Sequence, residues 1–518
     1  VIALPTLTGQ QLLHRFLLTV ALTLITLMLT IDSTIANVAL PHMRGSLGAS
    51  QDQIAWVLTS YILATAIFLP PSAFLANKFG RKRLLVICVI GFLVTSVMCG
   101  LATSIEQMVV FRFLQGAFGA PTTPLVQAAL LDLYSAEERG KSMSIFSFGV
   151  MMGSIFGPTL GGALTEFYNW RWVFFVNLPV GLLALIGVVT LKRETPRNHG
   201  LNFDSFGFIM LAVSIAALQL GLDRGESQNW FQSPEIIIEF AIAALCFYTF
   251  VAHMFTFREP FVEVSIFRDR NFLGGIIFLF FASGSMMVVM ALIPVYLQNL
   301  LGLPVLDAGL LMAPRSIATL ITLLLIPRLA KRFDLRLLIV VGVLLSVISL
   351  HQMAHFTLEI SHAAIISSGL LQGVGLALTT TPASILVVST LERRYYTEAS
   401  VMQNLMRSLG GSIWISLMVA MFSHNTQIFH AELTQSVTAF RDATQTTSIP
   451  QAWDWQTPFG VAALEGEIGR QASGIAIFGD FSIMQWMTLL TLPLVLLFSR
   501  INPMAAKRRP EDEVIHVD

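Results

Sequence analysis

Charge is what this chain has least of. Only 12% of its 518 residues are charged, and 31 acids cancel 31 bases to a formal net charge of zero. A neutral chain offers no footprint for nucleic acid or for a strongly acidic partner. Its three cysteines, Cys88, Cys99 and Cys246, are too few for a disulfide framework. Cys88 and Cys99 fall eleven residues apart on one expected helix, about 16 Å and out of bonding reach, so apolar packing is their expected role. Nucleotide and metal chemistry are missing too. Gly140, Lys141 and Ser142 resemble the end of a phosphate-binding loop, but Ser135 stands where its first glycine belongs and no strand precedes it. His351 and His355 share a helix face with His362 beyond, yet no acid lies between them as in a zinc-protease helix. There is no hydrolase elbow and no dinucleotide fingerprint, and no nucleophile, base or metal cluster at a common depth that a membrane-embedded enzyme would need. No cofactor is expected, and energy must come from an ion gradient. From Val1 onward no basic region, short apolar core and cleavage site follow in order, so no removable signal peptide is expected.

Apolar residues fill the space that charge leaves. They make up 55% of the chain and the mean hydropathy is +0.72, which marks an all-α polytopic membrane protein. Scanning for runs of about 20 apolar residues gives fourteen candidate spans, the first at 15–37, the fourth at 107–131, and the last two at 400–423 and 480–500. An even count puts both termini on one side. Twenty-three Lys and Arg, from Arg15 to Arg509, fall on that side and five, from Arg44 to Arg470, on the other. Basic residues are retained in cytoplasmic loops, so both termini are expected inside. The remaining three, Arg112, Arg315 and Arg407, fall in or at the edge of spans.

The chain also repeats itself. LANKF (75–79) returns as LAKRF (329–333) at an offset of 254, and LQG (114–116) as LQG (371–373) at an offset of 257. Two matches at nearly one offset indicate duplicated six-helix bundles with two helices inserted between them. The expected division is 1–194 for the first bundle, 195–270 for the inserted pair and 271–518 for the second bundle, which includes a large outer loop at 424–479. Duplicated helical halves around a midplane site are the usual build of secondary transporters.

Asp32 lies inside the first apolar run, in IDSTIANVALP. A charge at the centre of a membrane helix costs about 2.5–3.5 kcal/mol on insertion scales, so such residues face a pore or cavity. A buried acid is a natural proton carrier. Arg112, in RFLQGAFGA, falls at a similar depth and can reach it, either coupling to its proton or forming a static pair. A tight cationic turn, Lys78, Gly80, Arg81, Lys82 and Arg83, is suited to pairing with helix ends or acids of the opposite half, as an inner gate, or to simple anchoring at the membrane face. The fifth span carries Gly149, Gly153, Gly157, Pro158, Gly161 and Gly162, a small-residue seam expected between the halves. Asn37, Gln115, Tyr296, Gln298, Asn404 and Arg407 are candidates for a substrate cavity. Arg315 follows Pro314 and reads as a structural residue at a helix start. The 424–479 loop reads either as a partner-docking or interfacial element or as a solvated loop.

These residues together resemble the major facilitator superfamily, and within it the fourteen-helix drug:proton antiporters of the EmrB/QacA type. The resemblance rests on DSTIANVALP (32–41), RFLQGAFGA (112–120), the glycine–proline motif of the fifth span and NWRWVFFVNLPVG (169–181). ASVMQNLMRSLGGSI (399–413) and the loop beyond it look closest to the EmrB branch. The resemblance implies the major facilitator fold and proton-driven multidrug efflux of lipophilic compounds across a bacterial inner membrane. It also implies a periplasmic adaptor and an outer-membrane channel as partners. The glycine–proline motif is associated with antiporters, which favours export over the alternative of proton-coupled uptake. Two departures stand out: Ala73 and Asn77 occupy positions where the family's loop motif usually has Gly and Asp, and Asp334 replaces Gly80 in the second copy.

Overall fold

The computed structural model describes residues 9–135, 138–192, 194, 203–257, 263–436 and 457–499. Arg193, Arg197, Arg258, Arg441, Arg500, Lys507, Arg508 and Arg509, which entered the count of basic residues, lie outside them, as do residues 437–456 of the expected outer loop. Among the described residues every regular element is a helix. The first nine are α1 (Gly9–Leu47), α2 (Gln51–Phe68), α3 (Ser72–Phe79), α4 (Arg81–Leu101), α5 (Ile105–Gly119), α6 (Thr122–Leu133), α7 (Arg139–Phe167), α8 (Trp172–Phe175) and α9 (Asn177–Leu191). Next come α10 (Ser205–Gly225) and α11 (Pro234–Thr256). The last six are α12 (Arg270–Val295), α13 (Val305–Arg332), α14 (Leu335–Ala354), α15 (His362–Ser389), α16 (Tyr396–Ser436) and α17 (Pro458–Leu489).

Local chemistry sets many of these limits. Ser50 and Gln53 form a reciprocal capping box at α2, and Ser104, Asp204, Asp269, Asp334, Ser361 and Thr457 each accept a backbone N–H at the start of a helix. Pro70 and Pro71 break α2 from α3, which bend by 58°. Gly80, at φ +90°, ends α3 and opens α4.

Twelve described helices are long and apolar enough to cross a membrane, thirteen if α2 and α3 count as one span. The chain is a multi-pass membrane protein. The expected span at 107–131 is present as α5 and α6, split at Pro121, and the count of fourteen is compatible with this. Other limits shift. α1 runs ten residues past the expected 37, through Pro41 to Leu47. The 424–479 segment is not a loop at its ends: α16 continues to Ser436 and α17 begins at Pro458. Their long alternation of small, apolar and polar residues satisfies a helix outside lipid as well as within it.

α1 packs along α7, and the glycines make that possible. A Cβ on Gly153 would stand 2.5 Å from Thr30 Cβ, one on Gly157 1.9 Å from Thr34 Oγ1, and one on Gly161 2.7 Å from Ile35 Cγ1. Gly149 likewise faces Thr23. The seam therefore joins two helices of the first group and not the two halves, as the sequence had suggested. Gly162 has no atom within 4 Å of its Cβ position, and Pro158 is exposed. On the α1 side, Thr23, Thr30 and Thr34 each donate to the carbonyl four residues earlier in their own helix. The start of α7 instead meets the end of α13, where Gly140 faces Pro327 and Ala330. α10 and α11 pack on each other, and α10 touches α2 and α16. α11 leaves Ile237, Ile238, Leu245, Phe247 and Phe255 exposed, a face suited to lipid.

Replacing Gly157 with Val should force α1 and α7 apart and lower stability by about 1–3 kcal/mol. Gly162→Ala, with open space around it, should stay within about 0.5 kcal/mol of the parent. Thermal unfolding of the purified chain in detergent reads both, and equal losses at the two sites would contradict the seam.

Candidate functional site

Asp32 is fully buried and meets three donors from two other helices. Arg112 Nη1 of α5 donates to one carboxylate oxygen at 2.9 Å. Gln115 Nε2, one turn on, and Asn177 Nδ2 at the start of α9 donate to the other at 2.9 and 2.6 Å. Each donor is itself held. Arg112 also donates to Gln115 Oε1 at 2.8 Å and to the Val57 carbonyl at 3.3 Å, and its guanidinium lies 4.2 Å from the centre of the Tyr61 ring. Asn177 donates to Ser96 Oγ at 3.0 Å, and Ser96 donates to the Phe174 carbonyl. Cys99, expected only to pack, directs its thiol at Gln115 Oε1.

The geometry constrains the proton. An ionised carboxylate only accepts hydrogen bonds, and every group touching Asp32 here is a donor. A proton on either oxygen would point one donor at others. Turning the Gln115 amide over would forfeit its bond from Arg112. Proton uptake at Asp32 therefore requires α1, α5 and α9 to separate or rearrange.

The basic turn is organised differently from expectation. Arg81 pairs with Asp132 of α6. Glu194 accepts from the backbone N–H groups of Lys82 and Arg83 at 3.1 and 3.2 Å and caps α4. Its carboxylate fills the space beside Gly80, where a Cβ would lie 2.4 Å from it. Lys82 donates to the Val189 carbonyl, and Lys78 lies 5.5 Å from the Phe74 ring centre. These named partners belong to the first group of helices, while Arg81 also lies near enough to Glu398 of α16, in the last group, for their charges to attract. Beside them Lys192 is buried; desolvation pulls its ammonium down to about 8, with Arg81 and Lys82 acting the same way and Asp132 and Glu194 opposing.

Contact between the first and last groups is made at this same end by hydrogen bonds, two of which join a charged side chain to a neutral one. Asn77, the departure in the loop motif, donates to Glu398 at 3.4 Å. Arg139 donates to the Ser389 carbonyl at 3.1 Å and to the Tyr396 hydroxyl. Gln127 donates to Gln403 at 3.3 Å and accepts from Asn404 at 3.0 Å. Ser147 and Thr381 share a bond deeper in.

The candidate cavity residues separate into three kinds. Asn37 is exposed and Gln298 half-buried. Asn404 bridges the two groups and accepts from Arg407 at 3.1 Å. Gln115 and Tyr296 are engaged in other contacts: Gln115 belongs to the Asp32 set, and Tyr296 is buried, donating to the Thr357 carbonyl at 2.6 Å between Phe356 and Phe478. Arg315 is not at a helix start but ten residues into α13, 8% exposed. Sequence reasoning assigned no role to Asn177; its place in the NLP turn that opens α9 was the available signal. It also missed Asp480 of α17, fully buried with neither oxygen paired. Among the described residues no group of three His, Cys, Asp or Glu could hold a metal.

Comparison with known proteins agrees with this architecture. The family model for the Major Facilitator Superfamily matches residues 22–415. The multidrug export protein EmrB of Haemophilus influenzae is 34% identical over 432 residues, 83% of this chain and 84% of that one. EmrB of Escherichia coli is 34% identical over 441 residues, 84% and 85%. Among solved structures, that of a human organic anion transporter superposes with a TM-score of 0.57 at 13% identity, covering 93% of this chain and all of the other; at that identity it shows the fold alone.

Asn177→Ala should remove the shortest bond to Asp32 and cost about 1.5–3 kcal/mol, the range for hydrogen bonds to charged groups. A melting temperature equal to that of the parent chain would show the third donor to be dispensable.

Proposed function

Because the chain belongs to the Major Facilitator Superfamily, and because a lone carboxylate is sealed among donors inside its first helices, we propose that it exports lipophilic compounds by alternating access, driven by inward proton flow. It is a secondary transporter and not an enzyme. The multidrug export proteins it resembles support the substrate class, and the proton gradient stands in place of any cofactor. Asp32 with its three donors is the observation that carries the reading. In the state described here the acid is shut away from water among three donors, a set suited to a carboxylate, and on this reading protonation accompanies a different arrangement of α1, α5 and α9.

The two bundles, residues 1–194 and 271–518, rock against each other, with the inserted pair in 195–270 between them. The cross-group bonds at Asn77, Gln127, Arg139 and Ser147 support a state closed at the basic end. The concentration of Lys and Arg there supports a cytoplasmic location for that end and for both termini, in the inner membrane. Arg112 is the movable partner: breaking a buried pair by removing one member costs about 3–5 kcal/mol, so a proton on Asp32 releases Arg112 from the acid while Gln115, the Val57 carbonyl and the Tyr61 ring still hold its charge.

The projecting helices support a periplasmic adaptor, and through it an outer-membrane channel, as partners. At 1.5 Å per residue α16 is about 61 Å long and α17 about 48 Å, against a hydrocarbon core of about 30 Å. His430 and Glu465 join them at 2.9 Å in the projecting part, which offers a pre-built docking hairpin.

Substrate-induced proton release from everted vesicles tests the coupling. Asp32→Asn should reach the membrane yet release no protons and export nothing; normal export by that variant would sink the proposal, and substrate accumulation of the opposite sign would indicate uptake. Deleting 430–470 should spare transport in vesicles and abolish resistance in cells. Retained resistance would remove the docking role.

A further inference from the structure

The last six helices hold a small cavity of mixed polar and apolar lining, apart from the Asp32 site. α12, α13, α14, α15 and α17 line it, and it measures about 30 Å³, room for a water or a carboxylate group and not for a whole drug molecule. Arg315 lies in its wall with Ser285, Gln372 and Thr380, and Met286 and Leu376 form an apolar side. Arg315 is 8% exposed, and no charge on any described residue acts on it. Gln372 is 4% exposed and its Oε1 has no hydrogen-bond partner. A guanidinium cannot discard its charge by losing a proton. Buried in a membrane, it calls for a counter-charge.

The repeat shows which one is missing. The offset of 254 that carries LANKF onto LAKRF carries Tyr61 onto Arg315, and the offset of 257 that carries LQG onto LQG carries Gln115 onto Gln372. The packing repeats with the sequence. A Cβ on Gly116 would stand 2.5 Å from the Tyr61 carbonyl oxygen, and one on Gly373 2.2 Å from that of Arg315. In the first bundle α1 brings a carboxylate, Asp32, to the shared glutamine and a cation. In the second, the offset of 254 carries Asp32 onto Met286, and α12 offers only the neighbouring Ser285 as a polar group. The cation has moved from the fourth span to the second of its bundle, and its acid has not come with it.

We propose that this cavity is a head-group subsite for an amphipathic carboxylate: Arg315 takes the anion, the Ser285 hydroxyl, whose oxygen already accepts from Thr488, donates to it, and the alkyl tail leaves along Met286 and Leu376. The substrate supplies the acid that this cavity lacks, since Asp480, the buried acid of α17, is not in its wall. The inference deepens the export reading and rests on it for the direction of transport, while binding itself needs no gradient.

Binding of radiolabelled laurate to the full chain in lipid nanodiscs tests it, with acetate and dodecylamine as competitors. Wild type should bind laurate, and neither competitor should displace it at equal concentration. Arg315→Gln should weaken binding about tenfold or more, and Arg315→Lys should keep part of it. Ser285→Asp, which restores an internal acid, should also abolish binding while holding or raising the melting temperature, and it carries the test if Arg315→Gln fails to fold. No laurate binding by wild type, equal binding by Arg315→Gln, or displacement by acetate would overturn the subsite. Export of a cationic dye from everted vesicles is scored in parallel. Laurate binding without any export would sink the export reading and leave the subsite standing; dye export with unaltered laurate binding in the variants would do the reverse.

Discussion

An ionised carboxylate cannot remain in a membrane interior alone, and the arrangement of the first bundle follows from that constraint. Asp32 needs donors, one helix cannot supply them, and so α5 and α9 must both reach α1. Reaching it requires close approach elsewhere. Gly116 lets α5 close on the backbone of α2 beside Tyr61, and the glycines of α7 let α1 settle against that helix. Removing the acid would leave Arg112 as an uncompensated buried charge, so neither member of the pair can be lost without disturbing the other.

The second bundle inherits this packing without its electrostatics. Gly373 and Gln372 keep the places of Gly116 and Gln115, but no described carboxylate faces Arg315. One half is thus self-neutralised and the other is not. A duplicated scaffold keeps one helix packing in both copies while the charge set within it differs between them.

Much of this was legible in sequence, and the failures have physical causes. Long apolar runs, K/R asymmetry and the two-offset repeat carry global information, because membrane thickness and charge retention act on every span alike. Asp32 and Arg112 stood out because charge in such runs is rare. Asn177 did not, since an amide costs too little in a membrane segment to look anomalous. The glycine seam was visible but its partner was not: small residues show that something comes close and not which helix does. Span limits failed at α1, α16 and α17 because hydropathy marks where lipid ends, and a helix need not end there. The basic turn was legible only in part. Lys78–Arg83 suggest a gate by charge, and the structure adds what charge alone did not show: the backbone N–H groups of α4 claim Glu194, and Asn77 donates across the bundles to Glu398, which Arg81 also attracts.

The α1–α7 seam has a mechanical side. Thr23, Thr30 and Thr34 spend their hydroxyl protons on carbonyls of their own helix, so α1 presents mainly methyl groups to a glycine track. The nearest thing to a polar tie across it is Thr34 to the Gly153 carbonyl, at 3.5 Å. The seam therefore holds by fit and dispersion, and the polar bonds that fix the register of α1 are those of Asp32 to α5 and α9, so any movement of α1 is decided at the acid and not along the glycine track.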